Sequence, residues 1–405
     1  MLRFAFSPTE DMYIDDLRVA LLNYIVSKQK NEDFIVRIEE TDKEKNIESK
    51  EQEMLEILGL FGIEYSQIIR QSQNFRFHSA MAIQLLHEKK AFSCFCSDEW
   101  LEKKRDEAKK AQKEYQYDDA CRDLPPELVI DNTAPFRVRI VRPDTDSIDS
   151  FVIMEQDKNP TYDFACAVDD MLSDISMIIT NDSSYDNTTK QIHVRHQLGY
   201  DKEIEYAHLP AIQDKVSVKQ LLEEGYLPEA ISNYLILISV EPEKEIFTLE
   251  EAIKWFNVDK TVQSPARFDL DMLKHINQEH LKNLDAIELS RYVGFADADI
   301  GELARLYIEE ASTTKELKEK IAPIFAARDI AEESAEQTAL MTEVIKDAPY
   351  FEEYNDFKNY IIKETQMQDK DFSKYLRILF TNADHGPDIA EIYKHLKNYI
   401  KEIVK

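Results

Sequence analysis

An α/β core of parallel strands, interrupted by an insertion and followed by an all-helical half, is what this sequence predicts. Three observations carry the prediction. Short apolar runs and amphipathic stretches alternate strand, helix, strand, helix from Phe4 to Phe61. Strand-like and turn-like text returns at Pro160–Asp170 and Ser176–Gln191, after a charged stretch holding three of the four cysteines. From Ser217 onward amphipathic helix continues almost without a break.

In chain order, Phe4–Phe6 reads as a short strand and Asp16–Ile25 as a helix, because Leu17, Ala20, Leu21 and Ile25 recur at three- and four-residue spacing. Phe34–Ile38 reads as a buried strand and Glu51–Phe61 as the next helix. The span Phe92–Arg139, with the charged helix Asp98–Glu114 and the Pro125-Pro126 break, reads as an insertion between the halves of the core. Among the later helices, Glu302–Glu310, Lys315–Ala327 and Ile389–Ile403 are the clearest. A chain of 405 residues supports two to four domains with buried cores, and its 43% hydrophobic content fits folded structure. The expected boundaries are 1–75 and 161–210 for the halves of the core, 76–160 for the insertion, and 211–300 and 301–405 for two helical regions.

Composition narrows the function classes. MLRFAFSPTE lacks an extended apolar stretch behind a basic start, and no segment approaches the roughly 18 apolar residues of a membrane span, so a cytoplasmic protein with no membrane partner is expected. Four cysteines, two of them one residue apart, fit a reducing compartment and a metal site better than a disulfide framework. The net charge of −29 opposes RNA binding, which draws on Lys and Arg to neutralise phosphates. Gly301–Lys405 carries 15 basic and 21 acidic residues, so the last helices supply no basic footprint. Only 7 glycines are present, against a usual share of about 7%, leaving few residues for loops that cradle nucleotides.

The opening RFAFSPTEDMYIDDLRVALLNY is similar to the start of class I glutamyl-tRNA synthetases, where RFAPSPTG runs into LHIGGLRTALYNY. The same order continues through IVRIEETD (Ile35–Asp42), QSQ (Gln71–Gln73), AFSCFC (Ala91–Cys96), PTYDFACAVDD (Pro160–Asp170), DNTTKQI (Asp186–Ile192) and AHLP (Ala207–Pro210). It ends with EEGYLPEAISNYL (Glu223–Leu235), SPARFDLDML (Ser264–Leu273) and LRILFTNADHGPDI (Leu376–Ile389). Ten colinear matches over nearly the whole chain imply a Rossmann-like class I synthetase core, an acceptor-binding-like insertion, a helical stem-contact-like domain and a shortened, all-α anticodon-binding-like region.

The resemblance also locates departures. In the family's ATP loop, a HIGH-type segment opens a helix whose amides face the phosphates. Here Tyr13 takes the first histidine position, Asp15 and Asp16 take glycine positions, and Glu10 replaces the glycine after SPT. A carboxylate facing a phosphate at 4 Å costs roughly 4 kcal/mol at an effective dielectric near 20. The aspartates are otherwise read as caps of a helix beginning at Leu17. The lysine-bearing KLSKR loop, the family's KMSKS-type signature, has no counterpart after HLP, although Lys215 and Lys219 lie nearby. Where the family reads RGxDH, the chain has Thr180, Asn181, Asp182, Ser183 and Ser184.

Arg3, Ser7, Glu39 and Tyr162 match amino-acid-contacting positions, with a buried Arg3–Glu39 ion pair as the alternative. Cys94, Cys96, Tyr117 and Cys121 match the C-x-C, Y-x-x-x-C arrangement of zinc-binding members, with Asp118 or Asp123 as the alternative fourth ligand and three reduced cysteines as the alternative to metal. Cys166 reads as a core residue inside a strand. In LRILFTNADHGPDI, Asn382 replaces the usual glycine of the anticodon-region motif.

With both ATP signatures altered, the expectation is a degenerate, non-aminoacylating binding or regulatory protein that does not hold ATP. Its partner would be a protein with a basic face, such as another aminoacyl-tRNA synthetase, with tRNA disfavoured by charge. The alternative is an active glutamate–tRNA ligase. A third reading, a transferase that glutamylates a tRNA base, fits the cysteines but not the full-length colinearity.

Overall fold

A computed structural model describes all residues except 42–44, 114, 144–147, 243, 329, 331 and 405. Asp42, the end of one colinear run, and Glu114, the expected end of the charged helix, therefore lie outside the described residues. The chain divides into two compact units. The first comprises Met1–Val218, Leu235–Glu243 and Leu249–Phe268, and the second comprises Lys219–Tyr234, Lys244–Thr248 and Asp269–Lys405.

The first unit is built on a five-stranded sheet. Its elements run β1 (Leu2–Phe6), α1 (Ile14–Lys30), β2 (Phe34–Ile38), α2 (Glu48–Leu60) and β3 (Gln67–Arg70). After α3 (Phe75–His87) come β4 (Ala91–Cys94), α4 (Asp98–Lys110), α5 (Pro126–Ile130), β5 (Arg137–Ile140) and β6 (Val152–Met154). The chain then returns through α6 (Tyr162–Leu172), β7 (Met177–Asn181), α7 (Tyr185–Gln197) and β8 (Glu205–Leu209). Strands β3-β2-β1-β7-β8 pair in that order and all in parallel. The strand order reverses between β1 and β7, and the crevice beyond their carboxyl ends is where such sheets bind ligands.

The residue patterns explain the strands. In β1, Leu2, Phe4 and Phe6 are buried while Arg3 and Ala5 alternate to the other face. Every residue of β2 is buried, as in a parallel strand covered on both faces, and this places the Arg37 guanidinium inside the protein. The insertion forms a separate antiparallel sheet, β4-β5-β6. It packs through Ala91, Val138, Ile140 and Ile153 onto Leu85, Phe164, Val168 and Val194.

Two sequence expectations are corrected in this unit. The stretch Pro160–Asp170 is helix α6 from Tyr162 on, so Cys166 is buried in a helix and not in a strand. Its run of buried positions Phe164–Asp170 lies between the insertion and the main sheet, so tertiary cover erases the polar face that marks a helix in sequence. Helix α1 begins at Ile14 and not at Leu17.

After α8 (Val218–Glu223), α9 (Pro228–Leu237) and α10 (Leu249–Trp255), the rest is helical: α11 (Leu270–Asn283), α12 (Ala286–Tyr292), α13 (Ala298–Arg305), α14 (Thr314–Phe325), α15 (Glu332–Asp347), α16 (Tyr354–Thr365), α17 (Asp369–Thr381), α18 (Ile389–Leu396) and α19 (Ile400–Ile403). The expected helix Glu302–Glu310 is thus the end of α13 and a separate short turn at Ile308–Glu310, and Ile389–Ile403 is two helices. Helices α12 and α13 cross so closely that a Cβ at Gly301 would lie 1.7 Å from the Ala286 carbonyl oxygen. Asn382 ends α17 with φ 57°, taking the left-handed conformation that glycine would adopt more easily.

Candidate active site

The crevice above β1 and β7 has an ionic side and a loop side. On the ionic side, a polar pocket of about 80 Å³ is lined by Arg3, Glu39, Tyr162, Thr180, Ser184 and Tyr206, among others. Arg3 does not pair with Glu39. Its Nε and Nη2 donate to the two oxygens of Asp170 at 2.6 and 3.0 Å, a bidentate arrangement from β1 to α6. Arg37 binds the same carboxylate through Nη1 and donates from Nη2 to Glu39 Oε1 at 2.8 Å. Both guanidiniums and both carboxylates are nearly enclosed, so each needs its partners. Burial alone would push the Asp170 carboxyl up, but Arg3 and Arg37 outweigh it and hold the group at about 2.

Glu39 is anchored by its own N–H, which donates to the Phe6 carbonyl at 2.8 Å. Its Oε1 also accepts from the Cys166 thiol at 3.4 Å, and burial pushes that thiol well up, so it stays protonated. The charge of Glu39, followed by Cys166 and burial, likewise pushes the Tyr162 phenol well up and keeps it a neutral donor. The neighbouring Asp169 is occupied by His78, Asn74 and Gln71. Of the four residues expected to contact an amino acid, Arg3, Glu39 and Tyr162 come together at the pocket. Ser7, just past β1, is not among its lining residues.

The loop side carries the altered ATP signature. Tyr13 is the residue preceding α1, and Asp16 reaches back to accept its N–H at 3.0 Å, half of a capping box. Burial, followed by the charges of Asp15 and Glu10, raises the Asp16 carboxyl to about 6 against the pull of the Tyr13 N–H. Asp15 is fully engaged. Its Oδ1 accepts from Arg18 at 2.7 Å and the Ile212 N–H at 3.2 Å, and its Oδ2 accepts from Asn181 at 2.7 Å. The short Ala211–Ser217 connection is pinned onto this loop by hydrogen bonds Ile14 N–H to Val216 O and Val218 N–H to Met12 O, both 3.0 Å. Lys215 lies 4.9 Å from the centre of the Tyr13 ring and 3.3 Å from Glu10.

A third cluster sits in the insertion. Cys94, at the end of β4, Cys96 and Cys121 place their sulfurs within 4.8 Å of one another. The Tyr117 hydroxyl lies 3.4 Å from both Cys94 and Cys96, and Cys96 lies 3.6 Å from Cys121. Ligands bound tetrahedrally at about 2.0–2.3 Å sit roughly 3.5–3.8 Å apart, close to the Cys96–Cys121 and thiol–phenol separations here, so the donor set suits zinc. Arg139 donates to Cys94 at 3.4 Å and lies 3.9 Å from the centre of the Tyr117 ring, a cation beside a group of potential anions.

Comparison with known proteins interprets this arrangement. The family described as tRNA synthetases class I (E and Q), catalytic domain, matches residues 1–147 and 135–275. A protein named glutamate–tRNA ligase 2, from Sulfurimonas denitrificans, is 60% identical with complete coverage of both chains. The chain belongs to the glutamyl-tRNA synthetase family. Another glutamate–tRNA ligase 2, from Campylobacter jejuni subsp. doylei, is 46% identical, again over the whole of both. Among solved structures, a glutamate tRNA ligase from Elizabethkingia meningosepticum in complex with its amino acid has a TM-score of 0.82 and 22% identity, covering 99% of this chain and 97% of its own, which shows the shared fold. The alignment to the Sulfurimonas protein runs over 432 positions, more than the 405 residues here, so that ligase carries residues with no counterpart in this member of the glutamyl-tRNA synthetase family.

Full-length agreement with chains named as ligases overturns the expectation of a degenerate binding protein. Part of the negative charge at the loop is compensated: Asp15 is paired with Arg18, Glu10 lies beside Lys215, and burial raises the Asp16 carboxyl to about 6. Sequence reasoning also left Asp170, Arg37 and Tyr206 without roles. The signal for the first two was present: a charge inside the apolar run FIVRI and another inside the buried stretch FACAVDD.

Proposed function

We propose that the chain is a glutamate–tRNA ligase that acts in the cytoplasm. It joins glutamate to tRNA in two steps, in which a glutamate carboxylate oxygen attacks the α-phosphorus of ATP and expels pyrophosphate, and a terminal ribose hydroxyl of tRNA then displaces AMP. The observation that carries the reading is the 60% identity, over all of both chains, to a protein named glutamate–tRNA ligase 2. In this reading Glu39 receives the substrate ammonium, Arg3 and Tyr162 donate to a carboxylate, and Ser7 contacts the substrate where the pocket meets the nucleotide loop. Asp170 holds the Arg3 fork in place. ATP phosphates meet the amino end of α1, where Arg18, paired with Asp15, and Lys215, beside Glu10, are the nearby cations. tRNA takes the place of the basic protein partner expected from net charge.

The test is charging itself. Purified chain, glutamate, ATP and bacterial tRNA are expected to yield glutamyl-tRNA, and no product above background at millimolar ATP and glutamate would overturn the proposal.

We further infer that Cys94, Cys96, Cys121 and Tyr117 hold one zinc ion that ties β4 to the following loop. Zinc supplies a fixed tetrahedral crosslink there, and Arg139 offsets the negative charge of the thiolates. Metal analysis is expected to find about one zinc per chain, lost in Cys96→Ser, with a lowered Tm. A metal-free preparation with an unchanged Tm would remove this role.

A further inference from the structure

The pocket poses a problem of recognition. Thr180 stands where the family pattern carries an arginine, and among the pocket's lining residues Arg3 is the one guanidinium, with two of its donors already engaged by Asp170. A glutamate substrate brings two carboxylates. A second cation lies one layer behind the wall. Arg195, on α7, is 4% exposed, and its Nη2 donates to the Tyr206 hydroxyl at 2.7 Å. Tyr206, on β8, lines the pocket together with Thr180 and Gln191.

We propose that Arg195 and Tyr206 form a relay that recognises the substrate's side-chain carboxylate in place of the arginine absent at position 180. This rests on the ligase reading above. The Tyr206 oxygen accepts from Arg195, so its own proton is free for an acceptor elsewhere, and donation from a cation strengthens the hydroxyl as a donor. The ring is held nearly parallel to His208, at 11° and 6.0 Å, which fixes where the hydroxyl can act. Among the described residues Arg195 forms no ion pair, and its Nη1 is buried without a partner. The buried Asp170 carboxylate acts on this guanidinium at longer range, but Nη1 still has no acceptor. A carboxylate at Tyr206 adds a second anion beside it. The amide of glutamine brings no charge, so the relay favours glutamate.

Tyr206→Phe removes the hydroxyl and keeps the ring. It is expected to raise the glutamate KM and Kd about tenfold, to leave the ATP KM within about twofold, and to lower the preference for glutamate over glutamine. Arg195→Gln is expected to follow it, Arg195→Lys to fall between, and Thr180→Arg to restore glutamate affinity in the Arg195→Gln background. Melting curves separate these effects from unfolding, and Tyr206→Phe covers the case in which Arg195→Gln fails to fold. Charging by the unmodified chain with an unchanged glutamate KM in Tyr206→Phe overturns the relay alone, as does an equal loss of affinity for ATP and glutamate. No charging and no calorimetric glutamate binding by the unmodified chain overturns both the relay and the ligase reading.

Discussion

On the ionic side of the crevice, Arg3, Arg37, Glu39 and Asp170 form a closed set in which each buried charge meets an opposite one. On the loop side, Glu10, Asp15 and Asp16 are close neighbours along the chain, and they are managed individually: Asp15 by Arg18, Glu10 by Lys215 and Asp16 by partial protonation. The same residue type, aspartate, therefore sits at about 2 on one side and about 6 on the other. Burial acts in the same direction on both. What differs is whether guanidiniums surround the carboxylate or other carboxylates do.

The largest effect that would break this contrast belongs to Asp170. Replacing it with alanine leaves Arg3 and Arg37 buried without their shared anion and is expected to cost about 3–5 kcal/mol, read by urea unfolding at pH 7. Its folded pKa lies below the unfolded value near 3.9, so its contribution is complete above that value. It is lost as pH falls from about 4 through 2, and roughly 2 kcal/mol of stability should go with it. The gap between the parent chain and Asp170→Ala should accordingly narrow at pH 2.5. A gap that stays constant between pH 7 and pH 2.5 would show that Asp170 acts through packing and not through charge.

A smaller effect of opposite sign belongs to Asp16. Its folded pKa lies above the unfolded value, so the ionised carboxylate destabilises the fold increasingly as pH rises from about 4 through 6. Asp16→Asn keeps an oxygen to accept the Tyr13 N–H. The variant is expected to be about 1 kcal/mol more stable than the parent at pH 8, allowing for partial solvent screening, and indistinguishable from it at pH 4. Thermal unfolding at the two pH values reads this directly, and a variant less stable than the parent at pH 8 would reverse the assignment.

Much of this molecule was legible in one dimension. FIVRI is a strand because five consecutive buried residues suit a strand covered on both faces, and the resemblance to zinc-binding synthetases pointed to the three cysteines with Tyr117 as one cluster. Arg3, Glu39 and Tyr162 could be assigned to one pocket from a resemblance to glutamyl-tRNA synthetases before any coordinates. The loop acids were equally visible, yet their consequence was misjudged. A sequence displays charges but not their partners, and the groups that meet Asp15 include Asn181 and the Ile212 amide, over 160 residues away.

The sequence by itself determined the α/β opening, the helical second half, the family, and several of the residues that reach the crevice, because these follow from local periodicity and colinear motifs. Tertiary structure alone decided which charges neutralise which. Asp170 rather than Glu39 became the partner of Arg3, and Arg195 came to stand behind Tyr206. The physical reason is that ion pairing and burial depend on distances of a few ångströms between segments far apart in the chain, and a charge's effect reverses with the neighbours the fold supplies.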